Sequence, residues 1–248
     1  MGYIYGVNPV LEAVNSGKTI NKIYVQKGNK EACEVMKKAN EKKIVTVFAE
    51  KNKLDRMITM EGEKIKNSQG IVASVTDFEY VEVEDILDYA KSKNEPPFVI
   101  ILDKIEDPHN LGAILRTVEC MGVHGCIIQK RNACQVTDTV EKVAAGACSY
   151  VKVARVTNIT ETIKYLKKEG LWIYGLDMEG AKDIFDVKLD GAIGIVIGNE
   201  GEGITRLVKE NCDEMLKIPM SGNINSLNAS VSAAISIYEI VRQKLKGV

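Results

Sequence analysis

The chain has little of what most specialised classes of protein need. Histidine occurs only twice, at His109 and His124, and none of the six cysteines forms a C-x-x-C pair. That argues against a zinc site, and no metal is expected. Four of the cysteines sit in apolar company, as buried thiols usually do, so a reducing cytoplasm is the expected location. Long apolar runs are missing as well. The longest cover 98–102 and 193–197, far short of the roughly 20 residues of a membrane helix. The first residues lack a basic stretch followed by an apolar one, so neither a signal peptide nor a membrane partner is expected. Internal repeats and low-complexity segments are absent. What is present, 45% hydrophobic and 27% charged residues over 248 positions, suits a globular protein of one large or two small domains.

Charge of one sign is lacking overall, with a net of −1, yet its distribution is uneven. Residues 1–77 carry 13 Lys+Arg against 9 Asp+Glu, residues 78–95 carry 2 against 6, and the remainder 18 against 19. The basic excess therefore sits in the N-terminal third. A lysine-rich surface is as often a plain solvated face as a phosphate-binding one, so charge alone does not make this a nucleic-acid binder.

Residues 1–77 read as a small α/β domain. Asn8 and Pro9 open a helix as cap and first helical residue, with Val10, Leu11 and Val14 on its apolar face and Ser16-Gly17 as its stop. Strands are expected at 22–25, 44–48 and 71–75, and helices at 31–43 and 53–59. The acidic stretch up to Pro96-Pro97 reads as a linker, 78–96, with one short helix at 83–91. From 97 to 248 strand, loop and helix repeat. Strands are expected at 98–102, 125–129, 151–153, 171–174, 193–197 and 214–218, with helices at 111–121, 139–145, 159–168, 204–211 and 229–246. Continuous Val/Ile-rich strands between helices predict an α/β fold whose mostly parallel sheet is covered on both faces.

Three polar loops follow apolar runs, which is what a binding cleft in such a sheet requires. Gly198-Asn199-Glu200-Gly201-Glu202-Gly203 has the spacing G-x-x-G-x-G, not the G-x-G-x-x-G of dinucleotide folds, and no P-loop lysine accompanies it. Its glycines make a tight turn, or let backbone approach a flat ligand. Ser226-Leu227-Asn228 precedes a long amphipathic helix. One of its polar residues should cap that helix, and free amides there could also hold a ligand; the two roles are compatible. Asp107-Pro108-His109-Asn110-Leu111-Gly112 leads into a helix carrying Arg116. Arg116 is an exposed helix residue, an ion-pair partner, or a fork of donors for phosphate. His109 could act as a general base, though no partner for it is visible.

In this order the segments resemble the three motifs of the SpoU (TrmH-type) RNA 2′-O-ribose methyltransferases, in the SPOUT superfamily. Motif one resembles Asn110 through Arg116, motif two Ile197 through Gly203, and motif three Ile218 through Asn228. Tyr5-Gly6-Val7-Asn8-Pro9-Val10-Leu11-Glu12-Ala13 resembles the start of the L30e-like RNA-binding domain often fused to this family, although Ser68 stands where relatives commonly have His before Gln-Gly.

The resemblance implies a trefoil-knotted C-terminal domain, a homodimer with its site completed across the interface, and S-adenosyl-L-methionine as cofactor. Cofactor contacts are implied at Ile197, Gly198, Asn199, Gly201, Ile218, Met220, Leu227 and Asn228, in a pocket that also uses the segment from Gly175 to Gly180. Catalytic roles are implied for Arg116, Asn110, Glu200, Ser226 and Asn228, with Asn110 orienting Arg116. A guanidinium keeps its proton under ordinary conditions, so a phosphate clamp and alkoxide stabiliser suits Arg116 better than a base. The substrate implied is a guanosine ribose in large-subunit (23S) rRNA. The alternatives are a tRNA 2′-O-methyltransferase of the same family, and a non-catalytic RNA-binding assembly factor.

Overall fold

The alternation of β-branched runs with amphipathic helices resolves into two units, Met1–Glu79 and Tyr80–Val248. The computed structural model describes residues 2–16, 18–59, 66–75, 78–222 and 226–246. The expected helix stop at Gly17 and part of the polar loop, 223–225, lie outside them.

In the first unit β1 (Gly2–Tyr5), α1 (Val7–Asn15), β2 (Ile20–Gln26), α2 (Cys33–Glu41), β3 (Thr46–Ala49), α3 (Lys51–Met57) and β4 (Ile71–Val75) follow one another. Their sheet has the order β1-β4-β2-β3. β4 runs antiparallel to both of its neighbours, and β3 parallel to β2. Val10, Ile23, Val35 and Ile71 are fully buried in the core between this sheet and helices α1 and α2.

Two expectations change here. The first helix begins at Val7 rather than Pro9, so Asn8 is inside it and does not cap it. Gly6 takes the cap position with φ of 90°, a conformation only glycine adopts without strain. The Val7 amide is instead met by the Gln69 side chain at 3.4 Å. Ser68, which stands where relatives commonly have His, is fully buried. Its hydroxyl donates to Asp55 Oδ1 at 2.5 Å and accepts from the Gly70 amide at 3.3 Å. That hydroxyl is also the main cause of the lowered Asp55 pKa. Residue 68 therefore braces the turn from within, and the exposed side chains beside it are Asn67 and Gln69.

The second unit holds α4 (Val83–Ser92), β5 (Phe98–Leu102), α5 (Pro108–Cys120), β6 (Gly125–Gln129), α6 (Asp138–Ala144), β7 (Val153–Val156), α7 (Ile159–Lys168), β8 (Trp172–Leu176), β9 (Lys182–Asp183), β10 (Ile193–Ile197), α8 (Arg206–Lys209), β11 (Glu214–Lys217) and α9 (Ala229–Lys246). The sheet order is β7-β6-β5-β10-β8-β11-β9, and every pairing among the described residues is parallel. The central strands β5 and β10 are buried at all five positions, as a sheet covered on both faces requires. Strand order reverses beside β5 and β10, so the loops leaving their C-terminal ends open a crevice.

From Tyr80 on, the acidic segment expected as a linker belongs to this second unit, and its expected helix forms as α4. Val83, Ile86 and Ala90 recur at helical spacing and are buried, while Glu84 and Asp85 face outward. Tyr80 is fixed too: Arg155 lies 3.8 Å above its ring and its hydroxyl accepts from the Val136 amide at 2.9 Å. Burial pushes the Tyr80 pKa up to about 12, with Arg155 opposing.

Candidate functional site

Each motif residue owes its position to a local feature of the chain. Asp107 caps α5 by accepting from the His109 amide at 3.0 Å, and Pro108 fills the first turn. This start leaves Asn110 nearly buried, 5% exposed, one turn into the helix. Gly112 lets α5 close on α6, because a Cβ there would lie 2.7 Å from that of Val143.

After β10 the chain makes a five-residue hairpin. Asn199 and Gly203 exchange backbone hydrogen bonds of 3.2 and 2.8 Å, and Glu200-Gly201-Glu202 forms the tip. Gly198 must be glycine for this hairpin to close, since a Cβ would stand 2.2 Å from the Gly203 carbonyl carbon. Its own turn therefore requires it, and it also lines the cavity beside the hairpin.

The residues after β5 hold the hairpin in place. Asp103, fully buried, accepts from the Thr205 amide at 2.7 Å and donates its own amide to Ile197 at 2.9 Å. The Lys104 carbonyl accepts from Asn199 Nδ2 at 3.1 Å, and its ammonium meets Glu202 at 3.1 Å.

At the tip, Glu200 joins motif one to motif three. Its Oε1 accepts from Asn110 Nδ2 at 2.6 Å and from Asn228 Nδ2 at 2.7 Å, with the Ala229 amide at 3.4 Å. Asn228 Nδ2 also donates to Asn110 Oδ1 at 2.9 Å. On its other side Asn228 Oδ1 caps α9, accepting from the Ser230 and Val231 amides at 3.0 and 3.4 Å. One side chain therefore caps the helix and joins the cluster. Three loops, 90 and 28 residues apart along the chain, meet at one carboxylate.

Arg116 and His109 stand apart from this cluster. Both are exposed, and neither side chain bonds to another described residue. Six residues along α5, Arg116 lies about 9 Å beyond Asn110 and about 120° round the helix. Asn110 makes no bond to Arg116; its amide is committed to Glu200 and Asn228.

Beside the cluster lies a cavity of about 290 Å³. Leu176, Ile197, Ile218 and Leu227 give it an apolar side, and Met220 sits among them. Gly198, Asn199, Gly201 and Ser226 line it too, and Asn228 adjoins through Leu227 and Ala229. Five charged side chains line it: Asp177, Glu179, Glu200, Glu202 and Lys209. Burial alone would raise the Asp177 pKa, but the Lys209 ammonium and the Glu179 amide outweigh it and hold it low. An apolar wall facing several carboxylates suits a ligand with a flat apolar part and a positive centre. Sequence reading placed the segment holding Asp177 at the pocket without singling that residue out, and it missed Asp103, Lys104 and Lys209. The only signal was position, since Asp103 and Asp177 each come directly after a buried strand.

The chain matches known proteins over nearly its full length. Residues 97–238 match the SpoU rRNA Methylase family, and residues 3–81 match the RNA 2′-O ribose methyltransferase substrate binding domain. The Bacillus subtilis protein YacO, assigned to the TrmH family of tRNA/rRNA methyltransferases, is 40% identical over 98% of this chain and 96% of its own. A Staphylococcus epidermidis protein of the same assignment is 43% identical over 97% and 95%. The fold matches AviRb, a SpoU methyltransferase of Streptomyces viridochromogenes solved with AdoMet, at a TM-score of 0.62, with 24% identity over 99% of this chain and 91% of that one. The chain belongs to the SpoU rRNA Methylase family and is an RNA methyltransferase of the TrmH/SpoU type.

Proposed function

We propose that the protein transfers a methyl group from S-adenosyl-L-methionine to the ribose 2′-hydroxyl of a guanosine in 23S rRNA, in the cytoplasm. The observation that carries this reading is the meeting of Asn110, Glu200 and Asn228 beside a pocket with an apolar side and acidic walls. S-adenosylmethionine, when bound, supplies a sulfonium methyl that is already electrophilic. The remaining work is to make a sugar hydroxyl nucleophilic and to align it. In this proposal Ile197, Ile218 and Leu227 pack the adenine, while Asn199, Gly201 and Met220 line its approach. Glu200, Ser226 and Asn228 position the ribose, and Asn110 fixes Glu200 and Asn228. The loops after β8, β10 and β11 are the strands of a trefoil knot, and residues 1–77 grip the RNA.

The guanidinium this chemistry needs comes from Arg116 of the partner subunit in a homodimer. Its support is twofold: Arg116 does not reach the cluster of its own chain, and α9 exposes Val231, Ile235 and Tyr238 along one face beside α5. Mixing Arg116→Ala with Asn228→Ala subunits tests this. Half of the dimers are then mixed and each holds one intact site, so activity should return to about a quarter of wild type. No recovery above the separate variants would count against a shared site.

Substrate is tested with the purified protein, tritiated S-adenosylmethionine, and 23S rRNA or tRNA transcripts. Label in an alkali-resistant dinucleotide from 23S rRNA supports the reading. Label in tRNA would move the substrate, and label released as a methylated base would refute ribose chemistry.

A further inference from the structure

We infer that the Asp177–Lys209 ion pair holds the amino-acid end of the methyl donor, with Lys209 taking its carboxylate and Asp177 its ammonium group. This rests on the donor being S-adenosylmethionine, as proposed above. The donor carries two positive centres, sulfonium and ammonium, and a single carboxylate. The pocket mirrors that inventory: four of its charged lining side chains are acidic, and Lys209 is the one cation among the described lining residues. A carboxylate placed anywhere else along this wall would face like charge.

The layout of the pocket gives the same assignment. Glu200, tied to Asn110 and Asn228, marks the end where a sugar hydroxyl and the methyl must meet. The adenine needs the apolar side formed by Leu176, Ile197, Ile218 and Leu227. Both remaining branches of the donor start from the sulfur, so its tail is left the charged corner. That corner lies on the Gly203 side of the hairpin, where Asp177 Oδ2 would stand 3.7 Å from a Cβ on Gly203.

The pair is built and has capacity to spare. Asp177 is anchored by its own amide, which donates to Leu216 at 2.9 Å, and by the Glu179 amide, which donates to Oδ1 at 3.0 Å. Lys209 contacts the other oxygen, Oδ2, with side chains 36% and 13% exposed for Lys209 and Asp177. An ammonium has three N–H donors, so two stay available for a carboxylate, and each Asp177 oxygen keeps a lone pair for an ammonium.

Two ligands isolate this contact. S-adenosylhomocysteine and 5′-methylthioadenosine share the thioadenosine part, but only the first has the amino-acid end. Titration calorimetry of wild type and Lys209→Met should show S-adenosylhomocysteine weakened about ten- to hundredfold, the worth of one or two charge-assisted hydrogen bonds. Methylthioadenosine binding should not change, and Lys209→Arg should recover most of the loss. Equal losses for both ligands with Lys209→Met and no recovery in Lys209→Arg, or no loss for either ligand, would overturn the inference alone. Wild-type protein that binds neither ligand would overturn the donor assignment, and this inference with it.

Discussion

Asn228 concentrates the account in one side chain. Its oxygen faces the start of α9 and its nitrogen faces Glu200 and Asn110, so the two duties can be separated by a single atom. Asn228→Asp keeps the capping oxygen but sets a second carboxylate against Glu200. The α9 cap should survive, so the loss from a missing cap, about 1 kcal/mol, should not appear in urea denaturation beyond what charge repulsion adds. Methyl transfer should fall roughly hundredfold, the scale seen when one organised donor is removed from a site. Two carboxyls in contact raise the pKa of one of them. Activity of the variant should therefore recover in part as pH falls and a proton restores a donor between them. A pH–rate profile parallel to wild type would contradict this. At this scale the residues themselves marked only three polar loops after apolar runs; Asn110, Glu200 and Asn228 were singled out by the resemblance to the three motifs, and their side chains do meet. Lys104 and Lys209 were not legible, because a lysine in a turn or short helix is ordinary until its partner across the fold is known.

The elements were legible where their periodicity ran long and obscure where the sheet, rather than the segment, created them. β5, β6 and β10 fall where their apolar runs are. β9 is two residues long and exists only because it lies against β11. β1 opens the chain as an edge strand with no buried position to betray it. β7 sits further along than expected, at Val153–Val156, because pairing with β6 rather than hydrophobicity sets its register. Helix packing carries the sharpest expectation at this scale. Gly112 allows α5 to lie on α6, and a methyl group there would meet Val143 Cβ at 2.7 Å and the Val140 carbonyl at 2.9 Å. Gly112→Ala should cost about 1–3 kcal/mol of stability through overpacking, despite the better helix propensity of alanine. Because Asn110 stands two residues away, ligand binding should weaken as well. A denaturation midpoint at or above wild type would show that α6 yields without cost.

At the scale of the molecule, charge composition misled where burial decided. The excess of acid over 78–95 suggested a linker with one short helix; that helix forms as α4, but it turns its carboxylates outward and buries Val83, Ile86 and Ala90 in the second unit. The end of that segment holds a pH-sensitive joint. His124 is 3% exposed; its Nδ1 accepts from the Phe98 amide at 3.0 Å, so its Nε2 carries the proton toward Glu95 at 3.1 Å. Burial lowers the His124 pKa, with Glu95 opposing and Lys244 and Lys93 adding to the lowering. A histidine whose folded pKa lies below its unfolded value of about 6.5 binds its proton more readily in the unfolded chain. Its contribution to stability is thus complete above that value and is lost as pH falls toward the folded pKa. Urea midpoints between pH 8 and pH 5.5 should fall more steeply for wild type than for His124→Gln, and equal slopes would count against a neutral buried imidazole.

The proposed reaction is methyl transfer by this pocket to one ribose of ribosomal RNA. It is tested most directly by mapping 2′-O-methylation across total RNA from cells with the gene, without it, and with only the Asn228→Asp form. One guanosine of 23S rRNA should lose its methyl group in the second strain and stay largely unmethylated in the third. Unchanged methylation at every rRNA and tRNA position in the strain without the gene would contradict it.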